Sequence, residues 1–245
     1  MREGLRVGAC QTPEILGDTE ASLRCVEDFA GEAHARDVDL LLFPECFLQG
    51  YLVDAAYLRT HAMDPRSADF DTILRRLSPI RPTIVLGFIE EHDGSWFNSA
   101  AVITRGRLAG VYRKTHLVPG ESNFDTGSGY PTFEVNGVRF GINICYDMQF
   151  AEAAASVAAQ GARLIAAPKQ NMMLRQNAHV WKDRHNEIHR ERVRETGLWL
   201  ASSDVTGERG MDRIGLGPTC IIDPNGDIVA QVPLLTTGMA VADIS

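Results

Sequence analysis

The run Leu40-Leu41-Leu42-Phe43-Pro44, apolar at every position, constrains this chain more than any other feature. A short strand with no polar face has to be covered on both sides, as happens in sheets layered by helices. Its neighbours agree. Residues 5–11 read as a strand, and 19–36 as a helix with Leu23, Val26, Phe29, Ala30 and Ala33 on one face, so the chain opens as a β-α-β unit. Residues 83–89 form another strand of the buried type.

Hairpins interrupt this pattern. Residues 99–104 and 108–113 flank Arg105-Gly106-Arg107, and 132–135 and 138–144 flank Asn136-Gly137, a dipeptide that accepts the positive φ angles of a type I′ turn. A second β-α-β unit follows: Asp147 is expected to cap a helix over 148–160, Gly161 to stop it, and 163–167 to form a strand closed by Pro168. A charged helix is expected around 179–195, then strands at 198–203, 218–222, 228–232 and 238–242, with the glycines of 206–218 in a loop. No repeat or Pro/Ser linker divides the chain, so residues 1–245 are expected to form one α/β domain with mixed sheets.

Composition narrows the partners. With 24 basic against 32 acidic residues and a net charge of −8, the chain has no general attraction for nucleic acid or anionic membrane. Residues 1–7 lack the pattern of a secretory signal, and no apolar run approaches a membrane span. The five cysteines are scattered and form no CxxC pair, which argues against a disulfide framework and for a cytoplasmic home.

Three strand ends carry complementary chemistry. Cys145 ends one strand just before a helix start, where free N–H groups favour a thiolate and the N–H of Tyr146 is placed to hold an oxyanion. Glu45 follows the fully apolar strand; poor solvation there raises a carboxyl toward the pH range of a general base. Lys114 ends the strand of Tyr112-Arg113-Lys114-Thr115-His116-Leu117 and offers a fixed positive charge. Together they make a nucleophile, a base and a cation.

Phe43-Pro44-Glu45, Gly50-Tyr51, Tyr112 to Leu117, and Ile144-Cys145-Tyr146-Asp147 stand in the order and at about the spacing of the signature blocks of the nitrilase superfamily, the carbon-nitrogen hydrolases, and the resemblance covers nearly the whole chain. The resemblance implies Cys145 as nucleophile, Glu45 as base, Lys114 as stabiliser of the tetrahedral intermediate, and Glu121 as a second glutamate that positions substrate or assists proton transfer. It also implies a four-layer α-β-β-α sandwich with two mixed β-sheets, a homodimer or higher homo-oligomer, a small-molecule amide substrate, and no metal or organic cofactor. Nitrile or N-carbamoyl hydrolysis, acyl transfer to an amine, and a non-catalytic binding role are the alternatives. Tyr51, Asn171 and Met172 are expected to shape the pocket. Gln149 stands where many amidase-like members have arginine, so an ω-amidase specificity does not carry over.

Rival motifs are weaker. His185 and His189 share a helix face, but the spacing HNEIH is not HExxH and no third ligand is evident, so a polar or partner-facing surface is expected there. Neither GxSxG nor a phosphate-binding glycine loop occurs.

Overall fold

The computed structural model describes residues 4–244. The chain opens with β1 (Leu5–Pro13), α1 (Thr19–Ala35) and β2 (Leu40–Leu42). Asp18 starts α1 by accepting the N–H of Ala21 at 2.8 Å, and the helix buries Leu23, Val26, Ala30 and Ala33 at the expected period. After α2 (Ala55–His61) and α3 (Ala68–Leu77) come β3 (Thr83–His92), β4 (Ser95–Thr104) and β5 (Arg107–Arg113), an antiparallel meander. Next are β6 (Thr132–Val135) and β7 (Val138–Ile142), joined by Asn136 at φ 51° and Gly137 at φ 78°, as a type I′ turn requires. The remainder is α4 (Ala151–Ala158), β8 (Leu164–Pro168), β9 (Met172–Leu174), α5 (Arg175–Thr196), β10 (Trp199–Arg209), β11 (Arg213–Leu216), β12 (Cys220–Ile222), β13 (Ile228–Gln231) and β14 (Gly238–Ile244).

One ladder runs β5-β4-β3-β2-β1, with β14 antiparallel on β1; the other runs β6-β7-β8-β10, with β12 and β13 beyond. The long strand β10 belongs to both. Its residues Trp199 to Ser203 pair with β8, whereas Asp204 to Thr206 pair with Gln11 to Pro13 of β1. The sheets of the sandwich are therefore continuous through one strand.

Alternation along the strands sets the layers. Leu40 and Leu42 pack with Phe140, Ile142, Leu164 and Ala166 between the sheets, while Leu41 and Phe43 turn outward to Val26, Phe70 and Ile73 of α1 and α3. On the far side Ile165, Ala167 and Leu200 pack against Val157 of α4 and Val193 of α5. Three apolar layers between four tiers of structure make the α-β-β-α sandwich, and the apolar run at 40–43 is continuous because both its faces are core.

Several expectations change. The segment 206–218 is not all loop: β10 extends to Arg209 and returns as β11. Asp147 does not cap a helix. Residues Cys145–Gln149 form a 3-10 turn, α4 starts only at Ala151, and its N-cap is Phe150. His189 does not lie on a polar surface, and His185 is half-buried. His189 is fully buried, both of its ring nitrogens lack a hydrogen-bond partner, and burial holds it well below the usual histidine range. Among the described residues no helix is long and apolar enough to cross a membrane.

Candidate active site

Strands β1, β2, β3 and β5 run in one direction, as do β7, β8 and β10, so each sheet presents C-terminal strand ends at the rim where loops gather. Glu45 lies just past β2, Lys114 just past β5, and Cys145 in the turn after β7. Gly87 of β3 makes the first placement possible: a Cβ there would sit 2.1 Å from the carbonyl oxygen of Pro44 and 2.7 Å from the nitrogen of Cys46. Only a glycine lets the loop of Glu45 lie this close to the strand.

The structure joins Glu45, Lys114 and Glu121 directly. Lys114 Nζ donates to Glu45 Oε1 at 2.6 Å and to both oxygens of Glu121 at 2.9 Å, and the lysine is 1% exposed. Asn98 Nδ2 bridges the carboxylates, 2.7 Å from Glu45 Oε1 and 2.8 Å from Glu121 Oε1, while its Oδ1 accepts from Cys46 Sγ at 3.4 Å. The N–H of Val118 donates to Glu121 Oε2 at 2.9 Å, fixing the far side of that carboxylate. Every acceptor oxygen of the pair thus faces a fixed donor except Glu45 Oε2.

Burial raises the Glu45 carboxyl above its ordinary range, against the opposing pull of Lys114. At Lys114 burial disfavours the charge, but Glu45, Cys145 and Glu121 overcome it, and the ammonium is held above the usual lysine range. Cys145 is half-buried. Burial and the Glu45 carboxylate push its thiol up, with Lys114 and Lys169 pulling the other way, so the resting sulfur is protonated. This corrects the expectation that a helix start would make it a thiolate: the segment is a single 3-10 turn, and burial outweighs it. Cys145 has φ 45°, a left-handed conformation that is uncommon for a side-chain-bearing residue and that marks a turn under constraint.

Asp147 supplies that constraint. Its carboxylate accepts from the N–H of Ile144 at 2.8 Å and the hydroxyl of Tyr112 at 2.7 Å, and from the N–H of His116 at 2.8 Å. It also accepts from the hydroxyl of Thr115 at 3.0 Å. One buried carboxylate therefore ties the cysteine turn to the lysine loop. Asp147→Ala is expected to cost about 3–5 kcal/mol, because it strands several buried donors at once. Urea unfolding checks this, and a loss below about 1 kcal/mol would show that the tie is dispensable.

The remaining expected pocket residues divide. Tyr51 is brought to the site: it packs with Cys46 and Phe124, and burial together with the charges of Glu45 and Glu121 raises its phenol. Tyr146 is the second residue of the 3-10 turn, so its N–H has no acceptor within the turn. Asn171 is held by Asp204, which accepts its N–H at 2.9 Å and its side-chain amide. Met172 turns into the β9–β11 packing beside Gly215, and Met173 instead lines a small cavity with Asn171 and His185. Asn98 escaped the sequence reading. Its trace is the polar pair Asn98-Ser99 inside an apolar strand, each member serving a buried carboxylate on its own face: Ser99 Oγ donates to Glu90 at 2.6 Å. Among the described residues no group of three or more His, Cys, Asp or Glu side chains is arranged to hold a metal ion.

Comparison with known proteins adds an independent line. The family model described as carbon-nitrogen hydrolase matches residues 6–245. An (R)-stereoselective amidase of a Pseudomonas species is 32% identical over 202 residues, covering 80% of this chain and 70% of that protein. Among solved structures, Nit3 of Saccharomyces cerevisiae, a member of branch 10 of the nitrilase superfamily, aligns with a TM-score of 0.85 at 21% identity, over 98% of this chain and 89% of that one. An amidase from a Nesterenkonia species aligns with a TM-score of 0.83 at 23% identity, over 99% and 91%. At those identities the two structures speak for the fold alone. The match along 6–245 makes this chain a member of the carbon-nitrogen hydrolase family.

Proposed function

We propose that the protein hydrolyses the carbon-nitrogen bond of a small amide, with Cys145 as nucleophile. The observation that carries this reading is the buried ammonium of Lys114 clasped between Glu45 and Glu121, with the Cys145 thiol within the field of both Glu45 and Lys114. A structural salt bridge needs neither a buried amide bridging its two carboxylates nor a strained cysteine beside it.

In this reading the amide carbon binds at Cys145 Sγ, and Glu45 takes the thiol proton as sulfur attacks. The sulfur-carbon bond forms while the carbonyl pair moves to oxygen, where the Tyr146 N–H and the Lys114 ammonium stabilise it. Collapse expels the amine, which leaves with the proton held by Glu45. Water, deprotonated by the same carboxylate, then opens the thioester to a carboxylic acid and restores the thiol. Glu121 keeps Lys114 in place and charged throughout. Tyr51 closes one wall.

A screen of small primary amides for ammonia release tests this, with Cys145→Ala run alongside. Release by the native protein that falls at least ~10³-fold in the variant is expected. Equal release from both would remove Cys145 from the reaction.

A further inference from the structure

A second lysine stands beside this site with nothing to hold. Lys169 follows Pro168 at the C-terminal end of β8, the strand parallel to the one that leads to Cys145. Its backbone is part of the site's frame: its carbonyl accepts the N–H of Glu45 at 3.1 Å, and its own N–H donates to the carbonyl of Ser203 at 2.8 Å. The residue is 3% exposed, yet its ammonium forms neither a hydrogen bond nor an ion pair with any described residue. Nor is Nζ among the buried polar atoms sealed off without a partner, so what surface it keeps opens onto accessible space.

The nearby anions are already engaged. Asp204 is occupied by the N–H and side-chain amide of Asn171 and by the N–H of Val205 at 2.8 Å; Glu45 and Glu121 are claimed by Lys114 and Asn98. His185 and His189 feel its charge, and burial lowers both below the usual histidine range. A buried ammonium without a contact partner is costly, and burial accordingly pulls Lys169 below the usual lysine range, while Cys145 and Asp204 pull it back. Such a group is satisfied when a ligand brings the missing anion.

We propose that Lys169 is the specificity residue of this pocket, its ammonium holding a carboxylate on the acyl part of the substrate while the amide carbon lies at Cys145. The proposal rests on the amidase reading above. For a primary amide the leaving group is ammonia, so the recognised charge has to be carried by the acyl side. Without Lys169 that charge would meet two carboxylates against a single, already committed ammonium.

The half-amides of malonic, succinic and glutaric acid, each compared with its isosteric diamide, provide the test. For the best-fitting length the native protein is expected to favour the half-amide by about 10–100-fold in kcat/KM, chiefly through KM, as loss of a charged hydrogen bond implies. In Lys169→Met the ratio should collapse to near one. A native preference for the diamide, or an equal loss on both substrates in the variant, would overturn the assignment.

A second measurement needs no turnover. Succinate or glutarate should slow alkylation of Cys145 by iodoacetamide in the native protein, whereas succinamide should not, and Lys169→Met should lose the protection. Protection without hydrolysis of any amide would sink the amidase reading and leave the anion site standing. Hydrolysis of neutral amides without such protection would do the reverse.

Discussion

Lys114→Met is expected to be the most damaging single change in the protein, lowering kcat/KM by at least ~10³-fold and removing about 3–5 kcal/mol of stability. The reasoning is electrostatic. Glu45 and Glu121 are 2% and 0% exposed and share one ammonium; without it two carboxylates face each other with only Asn98 between them. Methionine fills the volume and supplies no charge, so the loss reports the broken pairing and not a cavity. The deficit should also depend on pH. Burial already raises Glu45, and without the lowering pull of Lys114 its folded-state pKa climbs further above the unfolded value. A carboxyl raised in the folded state binds a proton there before it does in the unfolded chain, so stability falls as pH rises through that window. Urea unfolding at about pH 5 and about pH 8 should show the larger deficit at the higher pH. An unchanged midpoint would mean that the pairing contributes little.

Glu45→Gln should leave the fold nearly intact and still lower kcat/KM by about 10²–10⁴-fold, the range assigned to a lost general base. An amide oxygen still accepts from Lys114 and Asn98, so the frame survives; what disappears is the group able to take a proton from a thiol that burial keeps protonated. The native pH profile follows from the same residue. Activity needs Glu45 ionised, so it is full above the Glu45 pKa and is lost as pH falls through it. Because burial raises that pKa, the acid limb should lie above the ordinary carboxylate value of about 4.3. A kcat/KM profile in which the variant shows the same acid limb as the native protein would assign the limb to another group.

How much of this was legible in the sequence depends on the range of the interactions. The apolar runs at 40–43 and 83–89 and the Asn136-Gly137 turn read correctly because strand burial and turn chemistry are local. The positions of the three strand-end residues were legible because each follows directly on a strand that its own sequence marks, and they stand just past β2, β5 and β7. Asp147 misled for a physical reason: an aspartate before an alanine-rich stretch has the form of an N-cap, and nothing local reveals that it reaches Tyr112, Thr115 and His116 across the site. The buried His189 of α5 misled likewise. Polar periodicity predicts a wet face, but His189 is fully buried. Helices α2 and α3 were missed although Asp54 and Ser67 cap them in the ordinary way, accepting from Tyr57 at 3.0 Å and Phe70 at 3.2 Å. The bridge that Asn98 makes and the contact that the Lys169 ammonium lacks are visible only in three dimensions, because both depend on partners distant in the chain.

The claim that joins these results is that one sulfur, one carboxylate and one ammonium act on the same substrate carbon. Trapping the protein during turnover of an amide and mapping the acyl group by peptide mass spectrometry tests it most directly. The adduct should lie on Cys145, build up in the native protein and vanish in Glu45→Gln. An adduct on Cys46, whose thiol donates to Asn98 beside the same glutamates, would contradict it.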